Sequence, residues 1–217
     1  PTKNKSIVRL LIIILCTVIF FVQLGNDNYY LVNFYGYKPA SLLTTNYQYD
    51  TFIPILTIFT SMFMHGGWLH FLGNMLYLWI FSDNVEDALG KKKFILFYML
   101  SGIAAALFQS IGNINSNIPM IGASGAIAGV LGAYMYLYPK AKILVIVPLL
   151  VFFFSIRLPA IIVLGFWFLI QFLNVTWFEN QESNIAWMAH IGGFIFGITY
   201  CILFIKKKKR GNSIFLR

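Results

Sequence analysis

Ile121-Gly122-Ala123-Ser124-Gly125-Ala126-Ile127-Ala128-Gly129 places one serine between glycines at the mouth of a long apolar run. A second stretch, Ala189-His190-Ile191-Gly192-Gly193-Phe194-Ile195-Phe196-Gly197, opens the last apolar run and carries one histidine just inside it. In hydrocarbon a lone hydroxyl or ionisable group is costly, and it is retained mainly where it functions. A serine and a histidine entering at matching depth therefore read as a nucleophile and its base. That reading requires the chain to bring both in from the same side.

Composition sets the frame. Of 217 residues, 59% are hydrophobic and only 11% charged, with a mean hydropathy of +0.76. This is far from the balance of a soluble domain and marks a polytopic membrane protein. The net charge of +9 does not imply a nucleic-acid partner, because Lys and Arg sit at the ends of apolar runs rather than on one face. They are topology signals. Cys16 and Cys201 both fall inside apolar runs, where a small thiol usually acts as a packing residue. Nothing in the sequence calls for a cofactor or a metal.

A spanning helix needs about 20 mostly apolar residues. On that basis the chain reads as an all-α membrane protein, a single domain over 1–217 with six transmembrane helices near 7–24, 68–81, 94–112, 124–138, 159–175 and 186–205. The stretch 25–50 is too polar to span and too aromatic for a bare linker, so it is expected partly in the interface. His65-Gly66-Gly67 interrupts the apolar run before the second helix, and 82–93 reads as a charged connection. The apolar stretch 143–156 contains Pro148 and ends at Arg157 and Pro159. It is expected to be an interfacial or re-entrant piece rather than a span. With six spans, every one of the 16 basic residues except Lys38 falls on one side, a strong orientation signal that puts both termini in the cytoplasm. The fourth and sixth helices then enter from the outer face, Ser124 at the start of one and His190 a turn into the other.

Serine is a poor nucleophile until a base takes its proton. Asp27, Asp50, Asp83, Glu86, Asp87, Glu179 and Glu182 all fall in expected connections, so a Ser-His dyad is the economical form and a carboxylate triad is not expected. Ser124 at a helix N-terminus has unpaired backbone N–H groups beside its Oγ. His70 and Asn74, four residues apart, share a helix face and could direct two donors at one atom. Gly125 with Gly129, and Gly193 with Gly197, are small-xxx-small pairs that allow two helices to approach closely. Each feature alone has a plainer explanation: packing for the serine, capping for the His70-Asn74 pair, a structural loop role for His65, and lipid-facing or core bulk for Phe166, Trp167 and Phe168. Four polar groups converging at one depth favour chemistry.

These residues resemble the rhomboid family of intramembrane serine proteases. The matching pieces are Gly122-Ala123-Ser124-Gly125, His65 with His70-Phe71-Leu72-Gly73-Asn74, and Ala189-His190-Ile191-Gly192-Gly193 through Gly197. Together, in this order, they are highly specific; singly each is weak. The resemblance implies Ser124 as nucleophile, His190 as base, and His70, Asn74 and Gly122 at the oxyanion. It implies substrates that are transmembrane proteins, cut where their helix unwinds near the outer face of a plasma membrane. In two respects the sequence departs from the family pattern. Ala128 stands where many relatives carry an aromatic residue that stacks on the histidine, and the first outer loop lacks the Trp-Arg pair of some members. The rival readings are an inactive relative that binds transmembrane clients, and a transport or metal-binding protein using His65, His70 and His190 as ligands.

Overall fold

The computed structural model describes residues 6–42, 52–149, 152–177 and 186–205. Lys3, Lys5, the basic run 206–210, Arg217, Asp50, Glu179 and Glu182 lie outside the described residues. The fold is mostly helical. Its α-helices are α1 (Ile7–Leu24), α2 (Asn28–Tyr35), α3 (Pro54–Ser61), α4 (Trp68–Leu89), α5 (Lys91–Gly112), α6 (Ser124–Leu137), α7 (Ala160–Trp177) and α8 (Trp187–Phe204), with a 3-10 turn at Pro39–Leu42. Four of them, α1, α5, α7 and α8, are long and apolar enough to cross a membrane.

Local chemistry explains most boundaries. The first N–H groups of α1 have no acceptor within the helix, and the buried Glu86 carboxylate of α4 accepts from Val8 N–H at 3.0 Å and Arg9 N–H at 2.9 Å. The Asp27 side chain caps α2 by accepting from Tyr30 N–H at 3.0 Å. Helix α4 does not stop at residue 81 as expected but runs to Leu89. The supposed connection therefore belongs mostly to helices, and Asp83, Glu86 and Asp87 lie in the last turns of α4. The break falls instead at Gly90, whose φ of +79° suits glycine, and the three lysines that follow open α5.

Part of the stretch 142–159 corrects the all-α expectation, while agreeing that it holds no spanning helix among the described residues. Two strands, β1 (Lys142–Leu149) and β2 (Phe152–Pro159), pair antiparallel, in register from Lys142 opposite Pro159 to Leu149 opposite Phe152. The physical reason is the run of β-branched and aromatic residues, which favours strand over helix. Ala160 N–H donates to Ala141 O at 2.8 Å and Ile161 N–H to Pro139 O at 3.0 Å, tying the start of α7 to the end of α6.

The core is centred on α6. It packs most closely against α8 and is flanked by α5, α4 and α7. The glycines make this possible: a methyl on Gly193 would strike the Gly125 carbonyl, and one on Gly197 the Gly129 carbonyl. On its other side, a methyl on Gly129 would meet the Ser101 side chain, and one on Gly125 would come within 2.6 Å of Ala105 Cβ on α5. Both small-xxx-small pairs thus serve close helix approach, as expected.

The segment before α6 is held from the first half of the chain. Tyr37 and Met120 form an antiparallel bridge, with N–H to carbonyl bonds of 3.0 and 2.7 Å. The Tyr37 hydroxyl is bonded to Ser110 Oγ on α5, and Gly122 N–H donates to Ser61 O at 2.9 Å.

Candidate active site

Helix α6 begins at Ser124, so the first N–H groups of the helix have no partner within it and lie beside the serine hydroxyl. Helix α8 begins at Trp187, which puts His190 within its first turn. The close α6–α8 packing brings the two side chains together, His190 Nε2 lying 2.9 Å from Ser124 Oγ. The start of α8 is itself anchored, since Ala189 N–H donates to Gln109 Oε1 of α5 at 3.1 Å.

The other face of the imidazole has a partner that sequence reasoning missed. Gln171 of α7 places Oε1 2.8 Å from His190 Nδ1, while its Nε2 donates to Trp167 O at 3.1 Å. Gln171 is buried, 5% exposed. The signal was available: an uncharged amide inside an apolar run is as costly to leave unpaired as a lone serine or histidine. Trp167 packs against the core, as expected, and also reaches the site. Its ring lies 5.8 Å from the His190 ring at 38°, and the Trp187 ring stands edge-on at 6.2 Å. Phe166 is exposed and Phe168 stacks on Phe194. Ala128 is fully buried against this packing, so the rings beside His190 come from α7 and α8 instead of α6.

On α4, His70 faces the same space. A methyl on Gly122 would lie 2.7 Å from His70 Nε2 and 3.6 Å from Ser124 Oγ, and the residue has φ +125°. Glycine is required there on both counts. Because Gly122 N–H is bonded to Ser61 O, what Gly122 offers the site is room rather than a donor. His70 Nδ1 accepts a long 3.4 Å bond from Gly66 N–H, which leaves Nε2 as the donor beside Gly122. Asn74 is buried, with its Nδ2 donating to His70 O at 2.9 Å. An amide nitrogen carries two hydrogens, so one remains for another acceptor.

His65 takes no part in this group. It is fully buried, with its ring 6.5 Å from Phe20, 5.4 Å from Phe71 and 5.3 Å from His70. Its backbone is clamped by Gln23 of α1, which accepts from His65 N–H at 3.0 Å and donates to His65 O at 3.2 Å. Burial, with His70 beside it, lowers its pKa to about 4, so it is neutral at physiological pH. Among the described residues, no three His, Cys, Asp or Glu side chains converge as a metal-binding group.

Ser124, His190, His70, Asn74, Gly122 and Gln171 all line one cleft of about 1500 Å³ opening among α4, α5, α6, α7 and α8. The arrangement offers a hydroxyl hydrogen-bonded to an imidazole, with His70 Nε2 beside Gly122 and the α6 N-terminus next to the same hydroxyl. Such a group can perform acyl transfer.

Residues 54–207 match the model of the Rhomboid domain. Rhomboid protein 1, mitochondrial, of Saccharomyces cerevisiae is 33% identical over 70% of this chain and 43% of its own length. The human presenilin-associated rhomboid-like protein, mitochondrial, is 30% identical over 76% of this chain and 43% of its own. A candidate rhomboid protease of Bacillus subtilis, YdcA, is 33% identical over 70% of this chain and 69% of its own. The chain thus spans less than half the length of the yeast and human relatives. Both of those are named as mitochondrial, so the expected plasma-membrane location finds no support in them.

Proposed function

From the premise that this chain belongs to the rhomboid family of membrane proteins, we propose that it is an intramembrane serine endopeptidase acting on membrane-spanning substrates. The observation that carries the reading is the 2.9 Å contact between His190 Nε2 and Ser124 Oγ at the wall of the cleft. Ser124 Oγ attacks the scissile carbonyl carbon while its proton passes to His190 Nε2. The resulting oxyanion is met by N–H groups at the α6 N-terminus, by His70 Nε2 and by the free hydrogen of Asn74 Nδ2. As the C–N bond breaks, His190 returns the proton to the leaving amine. Water then attacks the acyl ester, gives a proton to His190, and Ser124 is released when that proton returns to Oγ.

Depth follows from helix length. We read α4 and α6 as spans alongside α1, α5, α7 and α8, for six in all. The 14 residues of α6 are about 21 Å long at 1.5 Å per residue, short of a hydrocarbon core of about 30 Å. With its C-terminal end at the basic face, α6 leaves Ser124 below the opposite surface, reached by water through the cleft. The substrate helix must unwind there, because a helical amide in lipid is internally bonded and shielded.

The test is incubation of the purified protein in detergent with a single-span reporter, beside Ser124→Ala and His190→Ala. The wild type is expected to cleave and each variant to lose essentially all activity while melting like the wild type, since the pair acts as a unit. Appreciable cleavage by either variant would reject the dyad.

A further inference from the structure

We propose that Gln171 is a positioning residue, the third member of a Ser124–His190–Gln171 relay in which a neutral amide holds the general base in its reactive tautomer. The proposal rests on the hydrolase reading above and deepens it. The amide has one orientation available. Its Nε2 can only donate, and it donates to Trp167 O at 3.1 Å within its own helix; its Oε1 can only accept, and it lies 2.8 Å from His190 Nδ1. Nδ1 must therefore carry the proton. That leaves the Nε2 lone pair free to accept from Ser124 Oγ at 2.9 Å, the tautomer a general base needs.

A reversed amide would present hydrogens to Nδ1 and hold the proton on Nε2, where it could not receive one from serine. The Trp167 carbonyl prevents that reversal. The same acceptor also favours the imidazolium that forms when Ser124 attacks, since Oε1 faces the Nδ1–H in both states. An amide suits the place better than a carboxylate. Gln171 is buried within an apolar helix, where an ionised side chain would be expensive. Among the described residues lining the cleft the titratable side chains are His70, Tyr77 and His190, with no Asp, Glu, Lys or Arg. Gln171 also compensates for Ala128: without a ring on α6 to stack on His190, orientation comes from this hydrogen bond and the flanking rings of Trp167 and Trp187.

The experiment compares wild type, Gln171→Leu and Gln171→Glu in one detergent, by reporter kinetics, melting temperature and ¹⁵N NMR of the His190 ring assigned by its loss in His190→Ala. In the wild type, Nδ1 is expected to be protonated and Nε2 not. Gln171→Leu should mix the tautomers and lower kcat about ten- to a hundredfold, with KM and melting temperature nearly unchanged. Gln171→Glu should keep Nδ1 protonated and move the acid limb of the kcat/KM profile to higher pH, because the introduced carboxyl, costly to ionise there by itself, is ionised by pairing with the His190 imidazolium and stabilises it. Should Gln171→Leu fail to fold, the Glu variant's pH limb decides. A wild-type ring protonated on Nε2, an unmoved acid limb, or a rate loss that merely tracks unfolding would overturn the relay. The ring spectrum also separates the two proposals. A wild type that holds the Nδ1–H tautomer but cleaves no reporter defeats the hydrolase reading while leaving the Gln171 contact in place.

Discussion

At the scale of single residues, Asn74 carries the sharpest test of the oxyanion reading. Its Nδ2 donates to His70 O at 2.9 Å, a bond one turn back that any buried asparagine in a helix can form. That bond uses one of two hydrogens, so an oxyanion role and a helix-tying role are both compatible with the geometry, and kinetics must separate them. If the second hydrogen meets charge that exists only in the transition state, Asn74→Ala should lower turnover on the order of 10²-fold and leave the melting temperature nearly unchanged. Turnover and melting are measured together in one detergent. A rate loss proportional to destabilisation would assign Asn74 to the helix, and unchanged turnover would remove it from the site.

At the scale of elements, the packing of α6 on α8 decides whether the site exists. His190 and Gly197 lie on the same helix, and a methyl on Gly197 would run into the Gly129 backbone. Backbone cannot rotate out of the way as a side chain can, so the helices must separate. Overpacking of this kind costs about 1–3 kcal/mol, and a displacement near 1 Å at reacting atoms costs on the order of 10²-fold in rate. Gly197→Ala is therefore expected to melt several degrees lower, at roughly 2–4 °C per kcal/mol in a protein of this size, and to lose about 10²-fold in turnover. The control is Gly165→Ala on α7, where a methyl would meet nothing within 4 Å; it should melt no lower and cleave at the wild-type rate. Equal behaviour of the two variants would show that close approach is not what holds Ser124 and His190 together.

For the whole molecule, orientation is the property the charge distribution predicts. The α4–α5 junction carries Lys91, Lys92 and Lys93, and the loop leading to Ser124 carries no Lys or Arg from 113 to 123. By the positive-inside bias these are opposite faces. In sealed membrane vesicles of known sidedness, an impermeant maleimide added at the non-cytoplasmic face should label Asn115→Cys and spare Asn84→Cys until the membrane is broken. Background should be low, since Cys16 and Cys201 are fully buried. The reverse pattern would place the cleft mouth on the basic side and overturn both the topology and the route proposed for water.

The sequence alone was enough to establish a membrane protein, the ends of α1, α5, α6, α7 and α8 to within a few residues, and Ser124 and His190 as partners. These are properties of local composition: an apolar run of spanning length declares itself, glycine and proline punctuate it, and a polar residue inside it stands out. The expectation that Ser124 and His190 enter at matching depth came from charge asymmetry, which is also written along the chain. Tertiary structure decided what depends on rotation about a helix axis or on contact between distant segments. Helix α7 is apolar on nearly every side, so nothing in its pattern tells which face carries Gln171 to His190. Glu86 looked like part of a charged connection because its partners, the N–H groups of Val8 and Arg9, are far away in sequence. The strands β1 and β2 were hidden for a related reason: hydropathy measures how apolar a segment is, and although β-branched and aromatic residues lean toward a strand, only the pairing of distant backbone, Lys142 opposite Pro159, makes one.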